Sequence, residues 1–316
     1  LSQGNVYQYI LGFQAAARDP LQHALPFIFS RPQIVREVLR HTLKEIQPDG
    51  SIPYGVVGSG VPMPVIFRPS DLELWRLWLA SEYVLATRDR EFLDQKIPAY
   101  PGRQPGPGDR TVRELLARCY RHLAETIGVG AHGLMRLSNG DWNDGVIGDV
   151  SPEIHDEIKQ KGESVLNAAM ASYVLAHYAR MLSYLSDAPG AADARQRADA
   201  QRLAVRAQWA GQWFRRAWLG PQSGWLGEKQ LWLEPQPWSI IGGAATAAQA
   251  GTLAAALNQQ LRRPSPIGAM LHGAPLPKAA TPGVLINGGV WPSINGTLIW
   301  ALAMTDPAQA WDEWKK

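Results

Sequence analysis

Asp141 and Asp144 stand three residues apart in GDWNDG, residues 140–145, with Trp142 and Asn143 between them and Gly140, Gly145 and Gly148 close by. The glycines let the backbone turn sharply and approach a ligand. A polar turn of solvated acids would account for the carboxylates but would leave the indole without a purpose. Four other stretches combine a carboxylate or amide with an aromatic ring or a glycine turn. They are QAAARDPLQH at 14–23, FRPSDLELW at 67–75, LEPQPWSIIGG at 233–243 and PGVLINGGVW at 282–291, and KGESV at 161–165 belongs with GDWNDG. A sugar site uses this mixture: amides and carboxylates bond hydroxyl groups, and flat rings cover the face of a pyranose.

The elements that must position these stretches are mostly helical by periodicity. Ser30 with Gln33, Ser70 with Glu73 and Thr111 with Glu114 carry the capping-box spacing ahead of helices predicted over 31–46, 71–88 and from 112 onward. Further helices are predicted over 164–186, 191–218, 243–262 and 294–304. Gly- and Pro-rich loops separate them at 48–69, 99–110, 138–162, 219–242 and 264–293, long for a compact domain unless they build a site. Strand signals are confined to short stretches such as 52–57 and 229–233. Paired helices alternating with long loops predict an all-α barrel or toroid, with an α-solenoid as the competitor on pattern alone.

The chain has 316 residues, 46% hydrophobic and 19% charged, enough for a globular protein with a sizeable core. Its net charge of +3 is scattered among nearly equal numbers of acids and bases, which argues against a nucleic-acid partner. No run of about eighteen apolar residues occurs, so no membrane span is expected. The first residues lack the basic-then-apolar layout of a signal peptide; the compartment is left open, with a cytoplasmic setting favoured. The single Cys119 rules out a disulfide framework within the chain. The seven His are isolated, without the spacing of zinc ligands, so no metal is expected. GVVGSGVP at 55–62 matches no nucleotide-binding fingerprint and reads as a pocket edge. Arg215 and Arg216, among Trp209, Trp213 and Trp218, read as the basic outer edge of a packed helix, and most of the thirteen Trp as core.

Taken in order, these stretches resemble the catalytic domain of glycoside hydrolase family 94, which includes cellobiose and chitobiose phosphorylases and the C-terminal part of cyclic β-1,2-glucan synthases. The residues that carry the resemblance are Arg18, Asp19 and Gln22 in RDPLQ, Asp71 and Trp75 in SDLELW, and HGLMRLSNGDWNDG from His132 to Gly145. GES at 162–164, Gln236 and Trp238 in EPQPW, and Asn287 in NGG complete it. GDWNDG followed seventeen residues later by GES is the specific part. The resemblance implies an (α/α)6 toroid of six α-hairpins, whole or incomplete, over residues 1–316, with the family's N-terminal β-sandwich and C-terminal segment outside the chain. By position Asp144 is the general acid that protonates the departing sugar oxygen, and apolar surroundings favour the protonated form that such a step needs. Trp142 then lines the pocket, Arg18 bonds the reacting glycosyl ring, and Asp19, Gln22, Asp71, Trp75, Asn143, Gln236, Trp238 and Asn287 join the substrate site. Asp141 is left to orient the loop. The expected partner is an oligosaccharide; the chain can be a homodimer, as many relatives are; no cofactor is expected beyond inorganic phosphate as co-substrate.

Three positions depart from the family pattern. His23 stands where relatives carry a sugar-binding Asp, Ile286 where they carry Glu, and Ser293 where they carry a phosphate-binding His. Three readings follow. The leading one is inverting phosphorolysis of a β-linked glucoside, in which phosphate attacks directly and no second carboxylate is required. The second is inverting hydrolysis, which needs a base ~6.5–9.5 Å from the acid; Glu234 and Glu163 are the candidates, with Glu73 weaker because its capping position gives it a structural job. The third is a glycan-binding domain or truncated relic without turnover.

Overall fold

A computed structural model describes residues 16–57, 61–62, 68–98, 109–276 and 281–316. Most of the expected loop at 99–110, Phe67, and residues 58–60 of the glycine-rich stretch lie outside them. The chain divides into two compact units, one made of residues up to Gly128 together with Val174–Arg195, the other of Val129–Tyr173 and Gln196–Lys316.

In the first unit the chain forms α1 (Asp19–Ala24), α2 (Pro32–Thr42), α3 (Leu72–Thr87), α4 (Glu91–Asp94) and α5 (Val112–Arg121). Two short antiparallel pairs, β1 (Val56–Val57) with β2 (Val61–Pro62) and β3 (Lys96–Ile97) with β4 (Arg110–Thr111), fasten its loops. α3 is the interior helix: Leu74, Leu77 and Val84 are buried, and so are Glu73, Arg76 and Ser81 on its other faces. A helix enclosed on all sides must pair its charges, because a lone buried ion is prohibitively unfavourable. Arg76 bonds Glu45, and Glu73 lies 2.8 Å from His122 Nδ1. That pairing corrects the expected Ser70–Glu73 capping box: the N-cap is Asp71, with no side-chain cap bond. The Ser30–Gln33 box is absent as well, with Arg31 at the cap ahead of Pro32. Thr111 and Glu114 do form theirs, at 3.2 and 2.9 Å, where neither has a buried partner competing for it.

The second unit carries α6 (His155–Lys161), the start of α7 (Val165–Tyr184) and the end of α8 (Ala188–Arg206). It continues through α9 (Pro235–Ile241), α10 (Ala247–Leu257), α11 (Pro292–Thr305) and α12 (Pro307–Trp314). α6 and α9 fall inside expected loops, and every residue of α9 is buried. The helix predicted over 191–218 stops at Arg206. Beyond it the chain pairs as short strands, with Phe214, Arg216 and Ala217 buried and Arg215 and Trp218 half-buried. There β6 (Ala217–Trp218) pairs antiparallel with β7 (Trp225–Leu226) across a turn and with β5 (Glu163–Ser164) on its other side. A small apolar cluster that includes Leu137, Val146, Ile147 and Ile158 anchors both ends of the GDWNDG stretch. Among the described residues no helix is long and apolar enough to cross a membrane.

Candidate active site

GDWNDG is built on a buried ionic base in the second unit. Arg216, fully enclosed, donates from Nη1 and Nη2 to Asp141 Oδ2 and Oδ1 at 2.8 and 2.7 Å. The Ser164 hydroxyl donates to Asp141 Oδ2 at 2.6 Å, and its oxygen accepts from the Asn167 amide at 3.0 Å, the bond of an N-cap, so Asp141 is tied to the start of α7. Burial opposes the charge on Asp141; the Arg216 cation and these hydrogen bonds overcome it and hold the carboxyl below its usual range. Glu234, also enclosed, lies 3.5 Å from Arg216 Nε. Its Oε1 accepts from Asn143 Nδ2 at 2.8 Å, and its Oε2 has no hydrogen-bond partner among the described residues. Two buried carboxylates therefore share one guanidinium, which is itself held still more firmly protonated by them.

Above this base the loop changes character. The Asn143 amide N–H donates to Asp141 Oδ1 at 3.0 Å, and Asn143 Oδ1 accepts from the Gly145 amide at 3.1 Å, so both flanks of Asp144 are fixed from below. Asp144 itself is exposed at the turn. Two residues earlier, Trp142 meets Trp291 edge-on, centroids 5.3 Å apart at 85°. One residue later, Gly145 packs so closely on Ile286 that a Cβ there would lie 2.3 Å from Ile286 Cδ1. The Trp291 indole N–H donates to the Leu285 carbonyl at 3.0 Å, linking the two contacts. Leu285 is left-handed at φ 50°, and Ser138, at the entry to the loop, at φ 56°. Non-glycine residues in this region are strained and gather at functional sites.

The other expected site residues fall into different environments. Glu163, fully buried, accepts from the amides of His132 and Leu134 at 3.1 and 3.2 Å, and His132 Nδ1 lies 2.8 Å from its Oε1. A Cβ at Gly130 would fall 2.4 Å from the Glu163 carboxyl carbon, so glycine is needed for that approach. The α7 cap belongs to Ser164. Gln236 is enclosed with its amide spent on backbone: Oε1 accepts from the Phe214 amide at 3.0 Å, and Nε2 donates to the carbonyls of Phe214 and Trp232 at 2.8 Å. Trp238 is packed 6.0 Å from both Tyr173 and Trp300, and Asn287, also buried, accepts from the Leu276 amide at 2.7 Å. In the first unit Arg18 Nη1 donates to Asp71 Oδ1 at 3.3 Å, and the Trp75 indole donates to Oδ2 at 2.9 Å, all three buried. Asp19 and Gln22 are half-buried and His23 is exposed.

Sequence reasoning places Arg216 on a helix edge; it is instead the cation at the centre of the base. The turn-rich GPQSG between Trp218–Leu219 and Trp225–Leu226 is the signal for a hairpin there. Trp291 stands out in the sequence only as the end of its stretch, and nothing in the sequence pairs it with Trp142. Among the described residues no group of three or more His, Cys, Asp or Glu could hold a metal ion.

The fold belongs to the all-α (α/α)6 class. A GH63 mannosylglycerate hydrolase from Thermus thermophilus, in complex with glucose, matches with a TM-score of 0.65 at 13% identity, over 96% of this chain and 83% of that one. A rhamnosidase from Klebsiella oxytoca with rhamnose bound matches at 0.59 and 16% identity, over 96% and 48%. The description Glycosyl hydrolase 94 superfamily, catalytic domain, fits residues 66–304, and the chain belongs to that family. Its relatives include a solabiose phosphorylase from Paenibacillus borealis, 28% identical over 78% of this chain and 30% of that protein. A cellobionic acid phosphorylase from Neurospora crassa is 25% identical over 83% and 32%. The cyclic beta-(1,2)-glucan synthase NdvB from Rhizobium meliloti is 24% identical over 93% and 11%. The chain thus spans about a third of the length of these phosphorylases and about a tenth of the synthase.

Proposed function

We propose that this chain breaks a β-glucosidic bond by phosphorolysis with inversion, Asp144 acting as general acid. Inorganic phosphate attacks the anomeric carbon; its oxygen forms the new bond as the bond to the leaving oxygen breaks. The Asp144 proton passes to that leaving oxygen, releasing the leaving moiety as its alcohol and an α-sugar 1-phosphate. Asp144 suits the role because it alone of the GDWNDG carboxylates is exposed, on a turn whose two flanks are held from below. Pre-fixing such a group spares the orienting entropy of the step.

One observation favours phosphorolysis over hydrolysis. A hydrolytic base must meet water, yet both candidates are enclosed: Glu163 is occupied by the His132–Leu134 turn, and Glu234 by Asn143 beside Arg216. Phosphate carries its own nucleophilic oxygen and needs neither. The names of the phosphorylase relatives point the same way.

The test is the purified chain with a panel of β-linked gluco-oligosaccharides, with and without phosphate, read by phosphorus NMR. Sugar 1-phosphate appearing only with phosphate is the expected result. Free sugar released at the same rate without phosphate overturns the reading in favour of hydrolysis, and sugar binding without turnover overturns it in favour of a binding domain.

A further inference from the structure

Resting on that reading, we infer that the leaving-group side of the site takes an apolar aglycone: the preferred ligands are β-glucosides of aryl or alkyl alcohols. A general acid delivers its proton to the leaving oxygen, so the groups beside it meet the leaving moiety. Asp144 is bracketed by two contacts to one segment, Trp142 on Trp291 and Gly145 on Ile286. That segment presents hydrocarbon. Val284 and Leu285 are 46% and 59% exposed, and Ile286 is half-buried against the acid's own turn.

Exposed Val and Leu are unremarkable when scattered, but these are consecutive and lead directly into Ile286, which packs on Gly145 of the acid-bearing turn. Leu285 is also held left-handed at φ 50°, where a leucine is disfavoured and an asparagine or glycine would be at ease. Two bonds fix this conformation through its carbonyl, the Trp291 indole N–H at 3.0 Å and the Gly289 amide at 3.1 Å. A bulky apolar side chain is thus kept in water at a conformational disadvantage, the pattern of a group retained for contact with a ligand. A sugar leaving group offers hydroxyls that need polar partners, whereas Ile286 and Leu285 offer only dispersion and apolar burial. A phenyl or hexyl group matches that surface and strips no hydroxyl of its hydration.

The experiment measures binding by calorimetry to the chain carrying Asp144→Asn, so that no turnover intervenes. The probes are phenyl, hexyl and methyl β-glucoside and cellobiose; methyl β-glucoside keeps the sugar and linkage and removes the apolar group. Phenyl and hexyl β-glucoside are expected to bind about tenfold or more tightly than methyl β-glucoside, and more tightly than cellobiose. Ile286→Glu should collapse most of the ratio between phenyl and methyl β-glucoside affinity, whatever its effect on the two together. Leu285→Asn, which suits the left-handed backbone and so keeps the fold, should reduce the gain severalfold. Equal affinity for phenyl and methyl β-glucoside overturns the inference, as does tighter binding of cellobiose. A gain that ignores both substitutions also overturns it, because adhesion elsewhere would then explain it. Turnover by the unsubstituted chain separates the two readings. Sugar 1-phosphate from cellobiose without an aryl preference leaves phosphorolysis standing and removes this inference. Preferred release of phenol with free glucose and no phosphate requirement keeps the inference and removes phosphorolysis.

Discussion

The underside and the upper face of one turn use the same residue type in opposite ways. Asp141 is enclosed, gripped by both guanidinium nitrogens of Arg216 and capped onto α7 through Ser164. Asp144, three residues on, is exposed, in a turn whose Gly145 packs on Ile286 and whose Trp142 meets Trp291. The chemistry of a carboxylate is set by what surrounds it, and here one position is an anchor while its neighbour is exposed, as the proposed general acid. The anchor cannot leave its partner without stranding charge in the interior, and that is what keeps the reagent's backbone in place.

The comparison breaks most severely at Arg216. Arg216→Met leaves Asp141 and Glu234 buried without a cation and should destabilise the protein by about 3–5 kcal/mol, read from urea unfolding. A change under about 1 kcal/mol would show that the base is not what holds the loop. Next comes Glu163→Gln. Converting a buried carboxylate that accepts two amides, that of Leu134 buried with it, should lower stability by about 1–3 kcal/mol while the pH profile of turnover keeps its shape, as phosphorolysis without a protein base requires. A lost limb in that profile would return Glu163 to the chemistry.

Two smaller effects are pH dependences of opposite sign. Asp141 sits below its usual range in the folded state, so its contribution is present above the unfolded value of about 3.9 and is lost as pH falls through the folded one. The stability gap between the protein and Asp141→Asn should therefore be widest near neutrality and narrow in acid. In the first unit, burial pulls His122 down, but the hydrogen bond and charge of Glu73 prevail and raise it. Its contribution is fully present below the unfolded value of about 6.5 and is lost as pH rises through the raised folded value. The deficit of His122→Gln should shrink in alkaline solution, the smallest of these effects. A deficit that grows there would reverse the assignment.

What the sequence revealed was local. GDWNDG was legible because its glycines and paired acids have few other uses, and the exposed Thr111–Glu114 box was legible because nothing competes for those side chains. What it hid was direction. Gln236 and Trp238 have the types a sugar contact needs, but α9 is enclosed on every face, so their polar atoms and rings are spent inside. Glu73 has capping-box spacing, yet α3 is interior and a buried carboxylate takes the nearest cation-forming ring. Arg216 failed for the same reason in reverse: a basic doublet among tryptophans suggests a helix edge until the chain beyond Arg206 is seen to be extended.

The most direct test sets Asp144→Asn against Asp141→Asn, measuring sugar 1-phosphate formation and thermal unfolding on each. Asp144→Asn should lose about 10²–10⁴-fold in rate, the range for general acid catalysis, with stability changed by less than about 0.5 kcal/mol, as for an exposed position. Asp141→Asn should melt markedly earlier. If Asp144→Asn instead keeps its rate, or if Asp141→Asn melts like the unsubstituted chain, the division between reagent and anchor is wrong.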